Sequence, residues 1–365
     1  MSIITAKTTK NIGDIAPADW NRIYPDSLRD HSFLKSVQDS GFEGFSYSYI
    51  TLYKDGAVIS AVPCFTMTYS FATTTKALPS ILKIKALICG SPVGYSRINV
   101  LDKDKETAVK AVTNAMADMA KHERASILAF KDFPPSCDPM LGCLEKQGFS
   151  KVNGYPAVEL DIDFKSFDEY MKRLSHSTRK DLKRKFRDAE NLGRIDFEVV
   201  SNVRGLEDEV YGLYLQTFLK SNVQFEKIPK AFLQAVSENM PDNVRYFLWR
   251  IKGRLAAFDL CLVSNGTLSD EYVGMDYPVA YDYSLYFITF RDVISWCIKN
   301  NIRKYESGAL TYEPKKRLDL RFVPLYTYVK HNNRFINPAF KVVSRLLGPE
   351  NHDSVLKDMK KKGLF

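Results

Sequence analysis

Two stretches some two hundred residues apart share one layout: SYITLYKDGAVISAVPCF at 48–65 and RYFLWRIKGRLAAFDLCL at 245–262. Each reads as an aromatic-rich strand, a Lys-x-Gly or Lys-Gly turn, and a second strand carrying small residues where it meets a core. Lys54-Asp55-Gly56 is a strong hairpin signal, and Lys252-Gly253 makes a similar turn. After further strands, each hairpin is followed by a helix and then a strand. These are predicted at 105–125 and 126–133 in the first half, and at 283–301 and 302–310 in the second. Ala108, Val112, Ala115 and Met119 in one helix, and Phe287, Phe290, Ile294 and Ile298 in the other, recur at helical spacing. One α+β unit repeated in tandem accounts for all of this. The expected layout is a first domain over 1–165, a connecting helix over 166–194, a second domain over 195–335 and a tail over 336–365. Each domain is expected to be a mixed central sheet flanked by helices.

The connecting helix carries the chain's most unusual composition. Six of the nine residues from Arg179 to Arg187 are Lys or Arg. From Lys172 to Arg187 there are eight basic residues and one acid, giving +7, and from Lys357 to Lys362 four basic and one acid, giving +3. The whole chain carries +9, so the remainder is near −1 and the basicity lies in two short segments. That distribution argues against a nucleic-acid protein with a broad positive face. Tyr170, Leu174, Thr178, Leu182, Phe186, Ala189 and, at its end, Leu192 form a narrow apolar stripe at helical spacing, and Ser175–Thr178 supplies a break or second cap. Three roles are open for the charged side of this helix. It is a solvated face, a grip for a phosphate-bearing ligand or acidic carrier, or a contact with membrane or nucleic acid. The scarcity of acids between Lys172 and Arg187 speaks against the plain solvated face, because such helices intersperse Glu with Lys.

Other features exclude whole classes of chemistry. The six cysteines (Cys64, Cys89, Cys137, Cys143, Cys261 and Cys297) are scattered without a C-x-x-C, and read as buried free thiols in a reducing cytoplasm. The five histidines show no metal-ligand spacing, so no metal site is expected, and His176 reads as a helix-surface residue. There is no G-x-S-x-G, P-loop or G-x-G-x-x-G. The N-terminus lacks the layout of a signal peptide, and no apolar run reaches the roughly 18–20 residues of a spanning helix. CGSPVGYS (89–96) is a Gly/Pro-bearing loop that lines a cleft between the halves or simply turns the chain. Residues 337–365 read as a frayed, solvated tail, with a peripheral membrane contact on the inner face or an anionic partner as the alternative.

The S-x-x-x-R-K-x-L-x-R-x-x-R pattern, formed by Ser175, Arg179, Lys180, Leu182, Arg184 and Arg187, resembles the FemAB-like branch of the GNAT acyltransferase superfamily. In that branch two GNAT-like domains are fused, and it includes BioF-like acyltransferases and peptidoglycan aminoacyltransferases. A second match is the strand ending in acid-x-Gly followed by lysines and a closing strand: Glu306, Gly308, Lys315, Lys316 and Val323–Tyr328. The resemblance covers about residues 30–335 and is firmest over 167–335. It implies an N-acyltransferase that moves an acyl group from acyl-CoA or an acyl carrier protein, as co-substrate rather than tightly bound cofactor, to an amine-bearing small molecule or lipid. Aminoacyl-tRNA is the alternative donor, and a non-catalytic module binding a nucleotide or anionic lipid is the alternative outside enzymes. One departure stands out: GMDYPVAYDYSLY (274–286) lacks the glycines with which many GNAT proteins cradle the donor pyrophosphate.

Acyl transfer to an amine needs a proton acceptor, a held carbonyl and stabilisation of the oxyanion. If the family layout holds, Glu271 or Asp276 on the strand over 267–276, or Glu306 on the next, supplies the base. Tyr283 or Tyr312 returns a proton to the leaving group, and Lys315 stabilises negative charge. Arg179, Lys180, Lys183, Arg184 and Arg187 are the expected donor-binding set.

Overall fold

The computed structural model describes residues 3–25, 27–70, 83–221 and 223–363. Among these residues the chain forms fourteen strands: β1 (Ile4–Thr9), β2 (Phe45–Lys54), β3 (Ala57–Ser70), β4 (Lys83–Cys89), β5 (Ile127–Phe133), β6 (Ser150–Asn153), β7 (Ala157–Asp161), β8 (Ile195–Val200), β9 (Val244–Ile251), β10 (Arg254–Ser264), β11 (Thr267–Met275), β12 (Lys304–Ser307), β13 (Arg321–Val323) and β14 (Tyr326–His331). They make two seven-stranded sheets, ordered β1-β2-β3-β4-β5-β14-β6 and β8-β9-β10-β11-β12-β7-β13.

The two sheets match position for position. In each, the first four strands run antiparallel, the fifth pairs parallel with the fourth, and the sixth antiparallel with the fifth. A parallel pair needs a crossover. The helices Lys105–Glu123 and Leu285–Lys299 fill that place, lying between β4 and β5 and between β11 and β12. Asp55-Gly56 and Lys252-Gly253 both take positive φ at two consecutive residues (51° and 80°, 50° and 77°), the turn geometry that suits the twist of a two-residue hairpin. The repeat expected from the two hairpins is therefore present, and the fold is α+β with two mixed sheets flanked by helices.

The sixth position breaks the sequential layout. β7 completes the second sheet and β14 completes the first, so the compact units are not consecutive. One unit comprises Met1–Pro25, Glu43–Pro156 and Val323–Phe365; the other comprises Asp26–Phe42 and Ala157–Phe322. The expected limits at 165, 195 and 335 differ from these because a strand pairs by register, not by chain order.

In the first unit the core is built from Ile50, Leu52, Val62, Leu87, Leu128 and Phe130 of the sheet against Ala108, Val109, Val112 and Met116 of the crossover helix. That helix starts on Asp104, whose carboxylate accepts from Thr107 N at 3.0 Å. The frayed tail expected over 337–365 is corrected: helices Asn337–Leu346 and Ser354–Lys361 form there, and Val355, Leu356 and Met359 of the second are buried. Buried Glu350 joins this segment to the unit, accepting from Asn153 and meeting Lys360, both at 3.2 Å. Loop 89–96 is closed by its own serines: Ser91 N donates to Ser96 Oγ (3.0 Å) and Ser91 Oγ to Val93 O (2.7 Å).

In the second unit Trp249, Tyr246 and Phe247 of β9 are buried with Ile288, Val293 and Ile294 of the crossover helix. Trp249 Nε1 donates to Asp292 on that helix at 2.9 Å. The basic connecting helix belongs to this unit and is two helices, Phe167–Arg173 and His176–Leu192, broken at Leu174-Ser175. Ser175 caps the second by accepting from Thr178 N at 3.2 Å. Tyr170, Leu174, Thr178, Leu182 and Ala189 of the predicted stripe are buried and Phe186 is half-buried, whereas Leu192, at the last turn, is exposed and does not continue it.

Candidate functional site

The second sheet opens where its parallel pair ends. β11 and β12 pair over only three positions, Thr267–Ser269 with Lys304–Glu306, while β11 continues to Met275 against β10 alone. The register of β10 against β11 slips at Leu260/Cys261, which face Tyr272 and Asp270, so Glu271 is an extra, bulged residue. A bulge bends the strand and re-aims side chains at the point where pairing stops. Gly274 holds the far end of β11 close to the helix Glu207–Lys220. A Cβ there would lie 2.7 Å from backbone atoms of Leu213 and Tyr214 and 2.3 Å from the Phe258 ring.

Around the divergence the side chains form a buried polar cluster. Tyr305 on β12 donates its hydroxyl to Asp270 Oδ2 at 2.9 Å. Asp259 on β10 is buried, with one carboxyl oxygen that meets no hydrogen-bond partner. Burial pushes the Asp259 carboxyl well above its ordinary range, and the adjacent charge and hydrogen bond of Asp270 push it further. Lys315, on the short helix Tyr312–Arg317, is buried and donates Nζ to Gly308 O just past β12. Burial pulls the Lys315 ammonium down to about 8, with the charges of Asp270 and Asp259 pulling the other way. Burial, then the Asp270 charge, raises the Tyr286 hydroxyl as well, which places Tyr286 in the same neighbourhood. An amine that changes charge near neutrality beside two carboxyls and two phenols can move protons and steady a developing anion.

The expected site residues fall in different places. Lys315 is in the cluster. Glu271 is held instead by Arg29, at 2.6 Å, and by Ser269 Oγ, at 2.8 Å, with only 4% of its side chain exposed. Glu306 faces Glu159 in the β12–β7 register, and both carboxylates close on Lys304, at 2.9 and 2.8 Å; Glu159 also meets Arg321 at 2.6 Å. Asp276 sits one residue beyond β11, ahead of the helix Tyr277–Asp282, and makes no side-chain cap there. Tyr312 is buried with its ring against Phe322. Tyr283 donates to Leu192 O at 3.1 Å and so closes the end of the basic helix. The stretch 274–286, which lacks the donor-cradling glycines, folds as the short helix Tyr277–Asp282, and Ser284, just ahead of the crossover helix, makes no side-chain cap.

The basic helix separates into anchored and free cations. Arg179 reaches back to the carbonyls of Lys172 (3.1 Å) and Leu174 (3.2 Å), satisfying the end of the preceding helix. Asp181 is ringed by Lys185 (2.7 Å), Arg184 (2.8 Å) and Arg317 (2.8 Å). Burial works against its charge, but these three hydrogen bonds outweigh it and hold the carboxyl far below the usual carboxylate range. Arg317 lies two residues from Lys315, so this ion cluster ties the basic helix to the helix that carries the lysine. Arg187 lies beside Asp188 at 3.7 Å. Lys180 and Lys183 are exposed and meet no carboxylate among the described residues. The helix is thus only partly neutralised by its own acids, and among the described residues those two lysines are its uncommitted charges.

Sequence reasoning did not find Asp259, Asp270, Tyr305, Tyr286 or Arg29. The hairpin alignment carried a signal for two of them. Cys64 and Cys261 hold the same place in the two hairpins, and they face Cys89 and Asp270 in the next strands. Two residues before each cysteine stand Val62 and Asp259. The first unit keeps apolar or thiol groups where the second has acids. Among the described residues no group of three or more His, Cys, Asp and Glu could hold a metal ion, and no helix is long and apolar enough to cross a membrane.

Comparison with known proteins supports this architecture. The FemAB-like family, described as peptidoglycan biosynthesis/recognition, matches residues 11–360. A putative 8-amino-7-oxononanoate synthase 2 of Mycobacterium tuberculosis is 23% identical over 338 residues, covering 85% of this chain. The match is only 43% of that relative's length. Among solved structures, FemX superposes with TM-score 0.59 at 11% identity, over 92% of this chain and 100% of its own. A tandem GNAT protein from the clavulanic acid pathway gives 0.54 at 11%, over 91% and 99%, and the Bacillus licheniformis L-PGS gives 0.54 at 13%, over 91% and 95%. With a fold of two GNAT-like units and a family match over nearly its whole length, the chain belongs to the FemAB-like family.

Proposed function

We propose that this chain is an N-acyltransferase that takes an acyl group from an anionic carrier and places it on an amine. The observation that carries the reading is the cluster of Lys315, Asp270, Asp259 and Tyr305 at the divergence of β11 and β12. In the proposed reaction the acceptor amine attacks the carbonyl carbon of the donor. A C–N bond forms, and the C–S bond of a thioester or the C–O bond of an aminoacyl ester breaks. Asp270 takes the proton released by the amine. The Lys315 ammonium steadies the oxyanion and then protonates the departing thiolate or alkoxide, a role that its lowered pKa suits. Glu271 and Glu306, both committed to ion pairs, hold the strands around the site in this scheme.

Two donors remain consistent with the residues. Acyl-CoA or an acyl carrier protein fits the exposed Lys180 and Lys183, which would meet phosphate or acidic side chains. The family's description as peptidoglycan biosynthesis favours the second reading, an aminoacyl-tRNA donor. Both classes of donor are cytoplasmic, where we place the reaction, and the free, mostly buried cysteines suit a reducing compartment. Thermal shift with acyl-CoA, acyl carrier protein and aminoacyl-tRNA tests this directly, because a ligand at many times its Kd raises stability by a few kcal/mol, about 2.7 at a hundredfold excess. Stabilisation by a thioester donor supports the first reading, and stabilisation by tRNA alone transfers support to the second. No stabilisation and no acyl transfer with any of the three would overturn both.

A further inference from the structure

The helix Asn337–Leu346 is amphipathic in the reverse of the usual sense. Its inner side is polar: Asn337 accepts from His331 N and donates to Gly148 O, both at 2.9 Å, and Ser344 is buried. Phe340 faces inward too, with its ring 6.0 Å from His331. The outer side is apolar: Phe335, Ile336, Val342, Val343, Leu346 and Leu347 are between 38% and 77% exposed. At 100° per residue the six fall within one arc of the helix, opposite Asn337 and Ser344. Scattered exposed apolar residues need no explanation, but six on a single helical face form a patch that monomers seldom leave in water.

Charge identifies the occupant. No acidic residue occurs between Asp319 and Glu350, while Arg334 and Arg345 border the apolar arc and Lys341 lies on the polar side of the helix. Lys341 and Arg345 meet no carboxylate among the described residues, and Arg334 lies against the Phe335 ring at 4.7 Å. Across a twofold axis this surface would face its own positive charges, which disfavours a second copy of the chain. An anionic bilayer offers what the surface lacks, hydrocarbon for the arc and phosphate for the cations.

We infer that the face formed by Arg334–Leu347 docks peripherally on membranes that contain anionic phospholipid. The short helix lies in the headgroup plane, with Phe335, Val342 and Leu346 entering the acyl boundary and Arg334 and Arg345 at the phosphates. This inference is independent of the acyl-transfer reading, since it needs neither donor nor turnover.

The test is co-sedimentation of the full chain with phosphatidylcholine vesicles, with and without phosphatidylglycerol. Binding to the mixed vesicles should weaken as salt screens the cations. The triple variant Phe335→Ala/Val342→Ala/Leu346→Ala should bind roughly tenfold or more weakly with unchanged thermal melting, because all three side chains are exposed. Arg334→Ala/Arg345→Ala should erase the preference for the anionic vesicles, and Leu219→Ala, exposed on another helix, should change nothing. The proposal fails if the chain ignores anionic vesicles at low salt, binds neutral ones equally well, or binds undiminished as the triple variant. It also fails if light scattering finds a dimer that the triple variant dissolves, since the face would then belong to a second copy.

Discussion

Lys315 concentrates the chemistry of this protein at one atom. Replacement by Met keeps the stem and removes the ammonium. Turnover should fall by about a hundredfold or more, while donor binding, measured by calorimetry, changes little. With the pKa at about 8 and the protonated form required, wild-type kcat/KM should decline as pH rises through that value. The decline should be absent from the residual activity of Lys315→Met. Asp259 gives a separate signature in stability. Its folded carboxyl is raised by burial and then by Asp270, so the folded state binds a proton that the unfolded state has released above the ordinary Asp range. That contribution is complete at acid pH and is lost as pH rises toward the folded value. Urea unfolding at a series of pH values should show a downward slope above pH ~4 that Asp259→Asn flattens. Equal slopes in the two proteins would refute an elevated Asp259.

Elements explain why one set of candidates was legible and another was not. The motif around residues 304–316 led to Lys315, because lysine after acid-x-Gly is a local signal. The same reasoning put Glu271 and Glu306 forward as bases; Glu271 proves to be committed to Arg29, far away in sequence, whereas Glu306 is committed to Lys304, its neighbour two residues back on the same strand, a local pairing that the motif reading passed over. Asp259 and Asp270 become neighbours only through pairing across β10 and β11 and the slip at Glu271, which no spacing rule encodes. On the basic helix, charge counting marked five residues alike, whereas the structure gives Arg179 and Arg184 internal partners. Lys180→Ala/Lys183→Ala should therefore weaken donor binding about five- to tenfold at low salt without altering the melting temperature. Arg179→Ala should instead cost about 1 kcal/mol of stability. At β11, Gly274→Ala should destabilise by about 1–3 kcal/mol or more, as a Cβ must push apart backbone that has no slack.

At the scale of the molecule, the hairpin repeat was readable because it is local: turn residues and alternation lie within twenty positions of one another. The boundaries were not, because β7 and β14 each complete the sheet of a unit whose other strands lie elsewhere along the chain. A fragment comprising residues 1–165 looks like a domain in the sequence, yet it lacks the strand that pairs with both β5 and β6 and carries β7 without its sheet. Circular dichroism and proton NMR of that fragment should show loss of cooperative unfolding, and a stable, cooperative fragment would contradict the pairing described.

The placement of β14 also sets a timetable for synthesis. The second unit has all its residues once the chain has been made to Phe322, whereas the first, though begun earlier, still waits for Tyr326–His331 and the two helices that follow. On the ribosome, β5 and β6 emerge with a strand-wide gap between them that stays open while residues 154–325, nearly half of the chain, are translated. Unpaired strand edges exposed for that long attract chaperones or misassembly. The half translated first is thus the half that finishes folding last.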